Sequence, residues 1–173
     1  SVVYDGTAQT PCTVAVTGSV CLGPGPTPIY TLNTAVGTAT ASYTYAGDAN
    51  HAGSTDSTTF DITLAPSATV VTCPASVVYD GSAQTPCTVA VTGSGGLSLS
   101  PTPVYTLNTD VGTATASYTY AGDANHAGST DSTTFDISLA PSSTVVTCPA
   151  SVVYDGTAQT PCTVAVTGAG GLS

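Results

Sequence analysis

The sequence predicts an all-β chain of tandem β-sandwich domains, each about 75 residues, stacked end to end as a rod. Three observations predict it. A block of 75 residues repeats along the chain. Within each block, apolar and polar residues alternate with period two over short runs. Asp, Gly and Pro turn signals separate those runs, and no stretch carries a capped 3.6-residue period.

The repeat is plain on inspection. The string SVVYDG begins at Ser1, Ser76 and Ser151. Between residues 1–75 and 76–150 ten positions differ: Thr7/Ser82, Val20/Gly95, Cys21/Gly96, Gly23/Ser98, Pro24/Leu99, Gly25/Ser100, Ile29/Val104, Ala35/Asp110, Thr63/Ser138 and Ala68/Ser143. Six of the ten fall between residues 20 and 29, which marks that segment as the variable loop. A third copy runs from Ser151 to Ser173. This pattern leads us to expect a piece of a longer tandem array.

The strands follow in order along the second repeat. The run TVVTC at 69–73 is β-branched, and CTVAV at 87–91 places Cys87, Val89 and Val91 on one face. PVYTL at 103–107 comes next. In TATASYTY at 113–120, Ala114, Ala116, Tyr118 and Tyr120 share the face expected inside. STTFDISL at 132–139 completes the set and leaves Asp136 outward. The breaks between them are Asp80-Gly81, Thr92-Gly93, Asp110-Val111-Gly112 and Gly122-Asp123. About six or seven short strands per repeat is the pattern of a small Ig-like sandwich. Pro66 and Pro141 each sit between two strand signals, so the boundaries are placed there. Residues 1–65 then form an Ig-like repeat lacking its first strand, 66–140 a complete repeat, and 141–173 the N-terminal part of a third. Linkers that short and proline-bearing are stiff, which predicts the rod.

Composition excludes several function classes. The chain has no Lys and no Arg, and ten acidic residues give a formal charge of −10. Nucleic acids and anionic lipid surfaces are recognised through fixed cations, and none is present. No lysine can form an isopeptide bond or a Schiff base, and side-chain ion pairs are possible only through histidine. No apolar run is long enough to span a bilayer.

Six cysteines without metal-type spacing suggest an oxidising compartment. Cys12, Cys87 and Cys162 are equivalent, as are Cys73 and Cys148; Cys21 faces Gly96 in the repeat. Two pairings compete. The local one joins Cys73 with Cys87 and Cys148 with Cys162, around the Asp-Gly turn, and leaves Cys12 and Cys21 unpaired or intermolecular. A two-residue hairpin at Asp80-Gly81 would set these cysteines one residue off direct opposition, to be absorbed by a bulge at Pro74 or Pro86. The long-range alternative joins Cys12 to Cys73 and Cys87 to Cys148. We adopt the local scheme because it keeps each bond within one predicted domain.

The loops GDANHAGSTD at 47–56 and 122–131 partly match a calcium loop. Their candidate ligands are Asp48, Asn50 and Asp56, with Asp123, Asn125 and Asp131. Ala52 stands where a ligand is needed, and no helices flank the loop. The competing reading is a long hairpin loop whose Asp and Asn satisfy backbone groups through Asx turns. His51 and His126 lie in the same loops and read as exposed loop histidines. Asp5, Asp80 and Asp155 read as turn residues of Asp-Gly, and Asp61 and Asp136 as solvent-facing strand residues. No nucleophile–histidine–acid order, phosphate-cradling loop or paired catalytic carboxylates are recognisable, so no enzyme is expected and no cofactor beyond calcium is considered. The Thr-rich outer faces keep a cation-free surface wet.

Two motifs carry a resemblance that covers the whole chain. One is Tyr4-Asp5-Gly6, Tyr79-Asp80-Gly81 and Tyr154-Asp155-Gly156. The other is the Tyr-x-Gly-Asp-x-Asn segment, Tyr45 to Asn50 and Tyr120 to Asn125. With the Ser/Thr/Ala/Gly bias they resemble bacterial Ig-like tandem repeats of the YDG or MBG type, found in large secreted or surface adhesins. The resemblance implies an extended extracellular stalk at the cell surface, with other copies of the repeat as partners in a longer array or filament. It implies no catalytic residues. The cysteine pair and the missing Lys and Arg depart from a generic member. The expected function is a structural segment of an extracellular bacterial fibre. The alternative is a carbohydrate- or cell-surface-binding module assisted by calcium, which would need exposed aromatics such as Tyr30 and Tyr105 beside the variable loop.

Overall fold

The computed structural model of the chain describes residues 1–17 and 25–173. The described residues are all-β, with thirteen strands, two short 3₁₀ turns and no α-helix. Strands β1 (Val2–Val3), β2 (Ile29–Thr31), β3 (Gly37–Tyr45) and β4 (Ser54–Thr63) make one sheet in the order β1-β4-β3-β2. The next seven are β5 (Ser67–Thr72), β6 (Ser76–Val78), β7 (Thr88–Gly93), β8 (Ser98–Leu99), β9 (Val104–Thr106), β10 (Gly112–Tyr120) and β11 (Ser129–Ser138). They divide into a three-stranded sheet, β5-β7-β8, and a four-stranded sheet, β6-β11-β10-β9. The last two, β12 (Ser142–Thr147) and β13 (Thr163–Gly168), pair with each other.

Period-two patterning explains which residues are inside. On β10, Ala114 and Ala116 are buried; on β11, Phe135 and Ile137 are; on β7, Val89 and Val91 are. Small Ala on one strand leaves room for a large ring: the ring of Tyr105 on β9 meets Phe135 edge-on at 6.2 Å. The first repeat repeats the pair, with Tyr30 and Phe60 edge-on at 6.1 Å. These two-sheet, alternately buried strands give the second repeat a β-sandwich-like architecture. By compactness the chain forms two units. One comprises Ser1–Val70, Ala90–Pro101 and Thr119–Asp131; the other Val71–Val89, Thr102–Tyr118 and Ser132–Ser173.

The Asp80-Gly81 turn does not close a two-residue hairpin. β6, just before it, runs parallel to β11 with Val77 opposite Ile137, and no strand begins after it until Thr88. The turn is instead an Asx turn: Asp80 Oδ1 accepts from the Ser82 amide at 2.8 Å and from the Ser82 hydroxyl at 2.7 Å. Because β6 leaves for the other sheet, β5 and β7 become direct neighbours. That sets the cysteine register without a bulge. In the third repeat the ladder runs from Ser142 opposite Gly168 to Thr147 opposite Thr163. The next pair in line is Cys148 and Cys162, and these two are joined. Their Cα atoms lie 4.2 Å apart, the close spacing of residues that face each other across antiparallel strands.

Candidate functional site: a turn-and-socket coupling between repeats

Each Tyr-Asp-Gly segment is a knob closed by its own side-chain hydrogen bonds. Asp5 Oδ1 accepts from the Thr7 amide and hydroxyl, both at 2.8 Å, and from the Gln9 amide nitrogen. Asp155 does the same with Gln159 and Thr157. These donors favour the carboxylate, so Asp5, Asp80 and Asp155 are all held below the usual carboxylate pKa. The side-chain bond from Gln9, Ser82 and Gln159, respectively, is the largest cause. Gly6 and Gly81 follow at φ of 85° and 87°, a left-handed conformation that suits glycine.

The socket is the loop after β7. Ser94–Gly96 forms a 3₁₀ turn, with Gly95 at φ 65° and Gly96 at φ 85°. His126 braces it from behind. Its Nε2 lies 2.8 Å from the Ser94 carbonyl oxygen and its Nδ1 lies 2.9 Å from Asp123 Oδ1. Both partners are acceptors, so both ring nitrogens must carry protons and the imidazolium is favoured. The Ser94 carbonyl, followed by Asp123, raises the His126 pKa above 6.5 against the opposing effect of burial. Asp123 in turn accepts from the Asn125 and His126 amides and from the Tyr120 hydroxyl, each at 2.8 Å. Its pKa is pushed far below 3.8, first by the Asn125 amide and then by Tyr120 and His126. The sequence reading of His126 as an exposed loop residue is therefore corrected: it is only 6% exposed. Burial is tolerated because every polar atom of the ring is bonded.

Knob and socket meet. The ring of Tyr4, from the first repeat, stands edge-on to His126 of the second at 5.4 Å. Gly6 lies so close to Gly95 that a Cβ on Gly6 would sit 2.3 Å from the Gly95 Cα. A Cβ on Gly95 would sit 2.7 Å from the Tyr4 hydroxyl oxygen. The same arrangement joins the second repeat to the third: a Cβ on Gly81 would lie 2.4 Å from the Gly170 Cα, and one on Gly170 would lie 2.6 Å from the Tyr79 hydroxyl oxygen. The Asp123–His126 loop adds two backbone clamps. Asn125 Oδ1 accepts the Val36 amide at 3.0 Å, and the Asn125 carbonyl accepts the Ala65 amide at 2.9 Å. Ala65 is fully buried and bonds back to the Ala127 amide at 2.8 Å.

The other predicted positions fall as follows. Cys73 is bonded to Cys87, and Cys148 to Cys162. Cys12 is a free, half-buried thiol; Cys21 lies outside the described residues. Of the calcium candidates, both carboxylate oxygens of Asp48 and of Asp123 are taken by donors of their own loops and by Tyr45 and Tyr120 at the ends of β3 and β10. Asn50 donates its backbone amide to Asp48; Asp56, on β4, lies opposite Tyr43 of β3, and Asp131 lies on β11. Among the described residues no three His, Cys or acidic side chains are grouped to hold a metal ion. Tyr30 and Tyr105 are half-buried, and their hydroxyls bond the backbone of Cys12 and Cys87. Sequence reasoning missed Gly95, Asn125, Ala65 and Tyr4 as coupling residues. The signal available was that Tyr-Asp-Gly and Gly-Gly recur together, three and two times. No protein-family model, no curated protein and no solved structure matches the chain.

Proposed function

We propose that this chain is a structural segment of an extracellular bacterial fibre or adhesin stalk, built from disulfide-stapled Ig-like repeats of the YDG or MBG type. It does no catalysis and acts mechanically, by holding distance and resisting proteolysis. The observation that carries this reading is the recurrence of one coupling, Tyr4-Gly6 on Gly95 and Tyr79-Gly81 on Gly170. A contact written twice into a repeat is what an array needs, since each unit must be oriented by its neighbour. Disulfides within single repeats fit an oxidising location and staple domains whose cores are small. The absence of Lys and Arg removes every trypsin site. In this reading the partners are further copies of the repeat.

The test is surface labelling. Antibodies raised against the oxidised chain should decorate intact source cells or shed fibres. Labelling found only after lysis would overturn the extracellular assignment. The glycan-binding alternative has no observation in its favour, because the loop carboxylates and the two tyrosines it would use are engaged within the protein. Calcium-dependent retention on a glycan array would restore it.

A further inference from the structure

We infer that the junction of the second and third repeats is a docking seat for one more Gly-Asp-x-Asn-His-Ala-Gly loop, and that its occupant is the β10–β11-type hairpin of a further repeat copy. The seat is formed by the Val111 amide, the backbone of Ala140 and the Ala169 carbonyl. This rests on the reading of the chain as a segment of an array, and it names what the array adds next.

The junction of the first two repeats shows what such a seat holds. There the loop at 122–128 meets a set of groups that are nearly all backbone. Asn125 takes the Val36 and Ala65 amides, and the Ala65 carbonyl takes the Ala127 amide. The Ser67 hydroxyl adds a bond to the Ala127 carbonyl at 2.6 Å. His126 reaches the Ser94 carbonyl and stands against the Tyr4 ring. One period on, the receiving residues recur as Val111, Ala140, Ser142, Ala169 and Tyr79. Ala169 replaces Ser94, but the acceptor is a backbone carbonyl, so the exchange leaves it in place. The chain carries the Tyr-Asp-Gly turn three times and the Asn-His loop twice, at 47–53 and 122–128.

The second seat is already shaped. Gly170 holds φ 68° where Gly95 holds 65°, and the Gly168 amide donates to the Leu172 carbonyl at 3.2 Å as Gly93 does to Leu97 at 3.1 Å. It is also open. Leu139 is 80% exposed where its twin Leu64 is 46% exposed. Ala140 is half-buried where Ala65 is fully buried, and Val111 is exposed where Val36 is half-buried. A Cβ on Gly93 would meet His126 Cδ2 at 3.1 Å; one on Gly168 would meet Leu172 and Pro141 instead. A cavity of about 430 Å³ lies there, lined by Tyr79, Val111, Leu139, Ala140, Pro141 and the turn at 168–172. These groups carry no charge and ask for hydrogen-bond partners at fixed spacing. A loop pre-organised by its own aspartate, as Asp123 orders the Asn125 and His126 amides, meets that demand at little cost in ordering. The third repeat already supplies its β7-type strand, β13. The fitting occupant is therefore the hairpin that completes that repeat. The first repeat of a second copy would bring its own residues 12–17 to the same place.

The experiment lengthens the chain with a copy of residues 99–140 after Ser173, which completes the third repeat. Amide hydrogen exchange reads the seat. Val111 and Ala140 should exchange at least roughly fivefold more slowly than in the unaltered chain, the factor equivalent to about 1 kcal/mol for one hydrogen bond. Asn125→Ala made only in the added copy should return Val111 to its original rate and leave Val36 unchanged. Tyr79→Leu should shift the ring-proton resonances of the added histidine, as Tyr4→Leu should shift those of His126. Unchanged exchange at Val111 and Ala140 in the lengthened chain overturns the inference. So does an added segment that gains no protection of its own. Protection at Val111 of the unaltered chain that rises with chain concentration assigns the seat to a second copy, and overturns it too. The first junction is the control: Asn125→Ala in the unaltered chain should speed exchange at Val36. If it does not, the coupling and the array reading fail together. If it does, and Val111 stays unprotected in the lengthened chain, the inference alone fails.

Discussion

Residues 12–17 and 87–92 are the same six letters, CTVAVT, in two different states. In the second repeat they lead into β7; there Cys87, Val89 and Val91 are buried, and the cysteine is bonded to Cys73. In the first repeat they carry no strand, Cys12, Val14 and Val16 are only half-buried, and the thiol is free. The difference is the neighbour. β7 lies between β5 and β8, whereas among the described residues no strand pairs with 12–17. A cleft of about 400 Å³ remains there, lined in part by Val14, Val16, Ala41 and Tyr43. The effect spreads to the next layer: Phe135 is 1% exposed, while its twin Phe60 is half-buried. A β-strand is a paired object, and its propensity is realised only against a partner.

The sharpest way to test this contrast is to truncate the twin phenylalanines. Phe135→Ala should destabilise the second repeat by about 3–5 kcal/mol, the usual cost of emptying a closed aromatic site. Phe60→Ala should cost clearly less, because that ring is only half-buried and has less contact to lose. Urea unfolding of both variants checks this, and equal losses would break the comparison. Next in size is the staple. Replacing Cys73 and Cys87 by Ser should remove roughly 3 kcal/mol in the chain-entropy account of a 15-residue loop. Cys12→Ser should leave the denaturation midpoint nearly unchanged.

Asn125→Ala should cost about 1 kcal/mol, since it leaves the Val36 amide without its acceptor. Amide hydrogen exchange should show faster loss of protection at Val36. Asn50→Ala, in the first repeat, should produce no such remote effect.

The smallest effect expected is on pH dependence, at the His126 loop. The raised pKa of His126 means its contribution is fully present below about 6.5 and is lost as pH rises through the folded value. The lowered pKa of Asp123 means its contribution is present above about 3.8 and lost as pH falls through the folded value. The Tyr4 coupling should therefore be firmest between these limits, in mild acid. Titration of the His126 ring protons should give a midpoint above 6.5, and Asp123→Asn should lower it.

Much of this was legible in the chain. Alternation located β7, β10 and β11 and the residues they bury, because a half-buried strand must alternate whatever its surroundings. The repeat located the equivalences among the cysteines. The Asp-Gly turns were also visible, but their use was not: Asp80-Gly81 reads as a hairpin, and only the parallel pairing of β6 with β11 shows that the strand leaves for another sheet. His126 likewise reads as a loop residue, because the Ser94 carbonyl that receives it lies 32 residues away.

Local features are written into the chain: where strands and turns fall, which face is apolar, and that no fixed cation exists. Partnership came only with folding: β5 beside β7, Tyr4 on His126, Gly6 against Gly95. The physical reason is that periodicity and turn chemistry act within a few residues, whereas pairing is settled by which distant surfaces can close on each other with their polar groups satisfied. Identical letters at 12–17 and 87–92 therefore came to different ends.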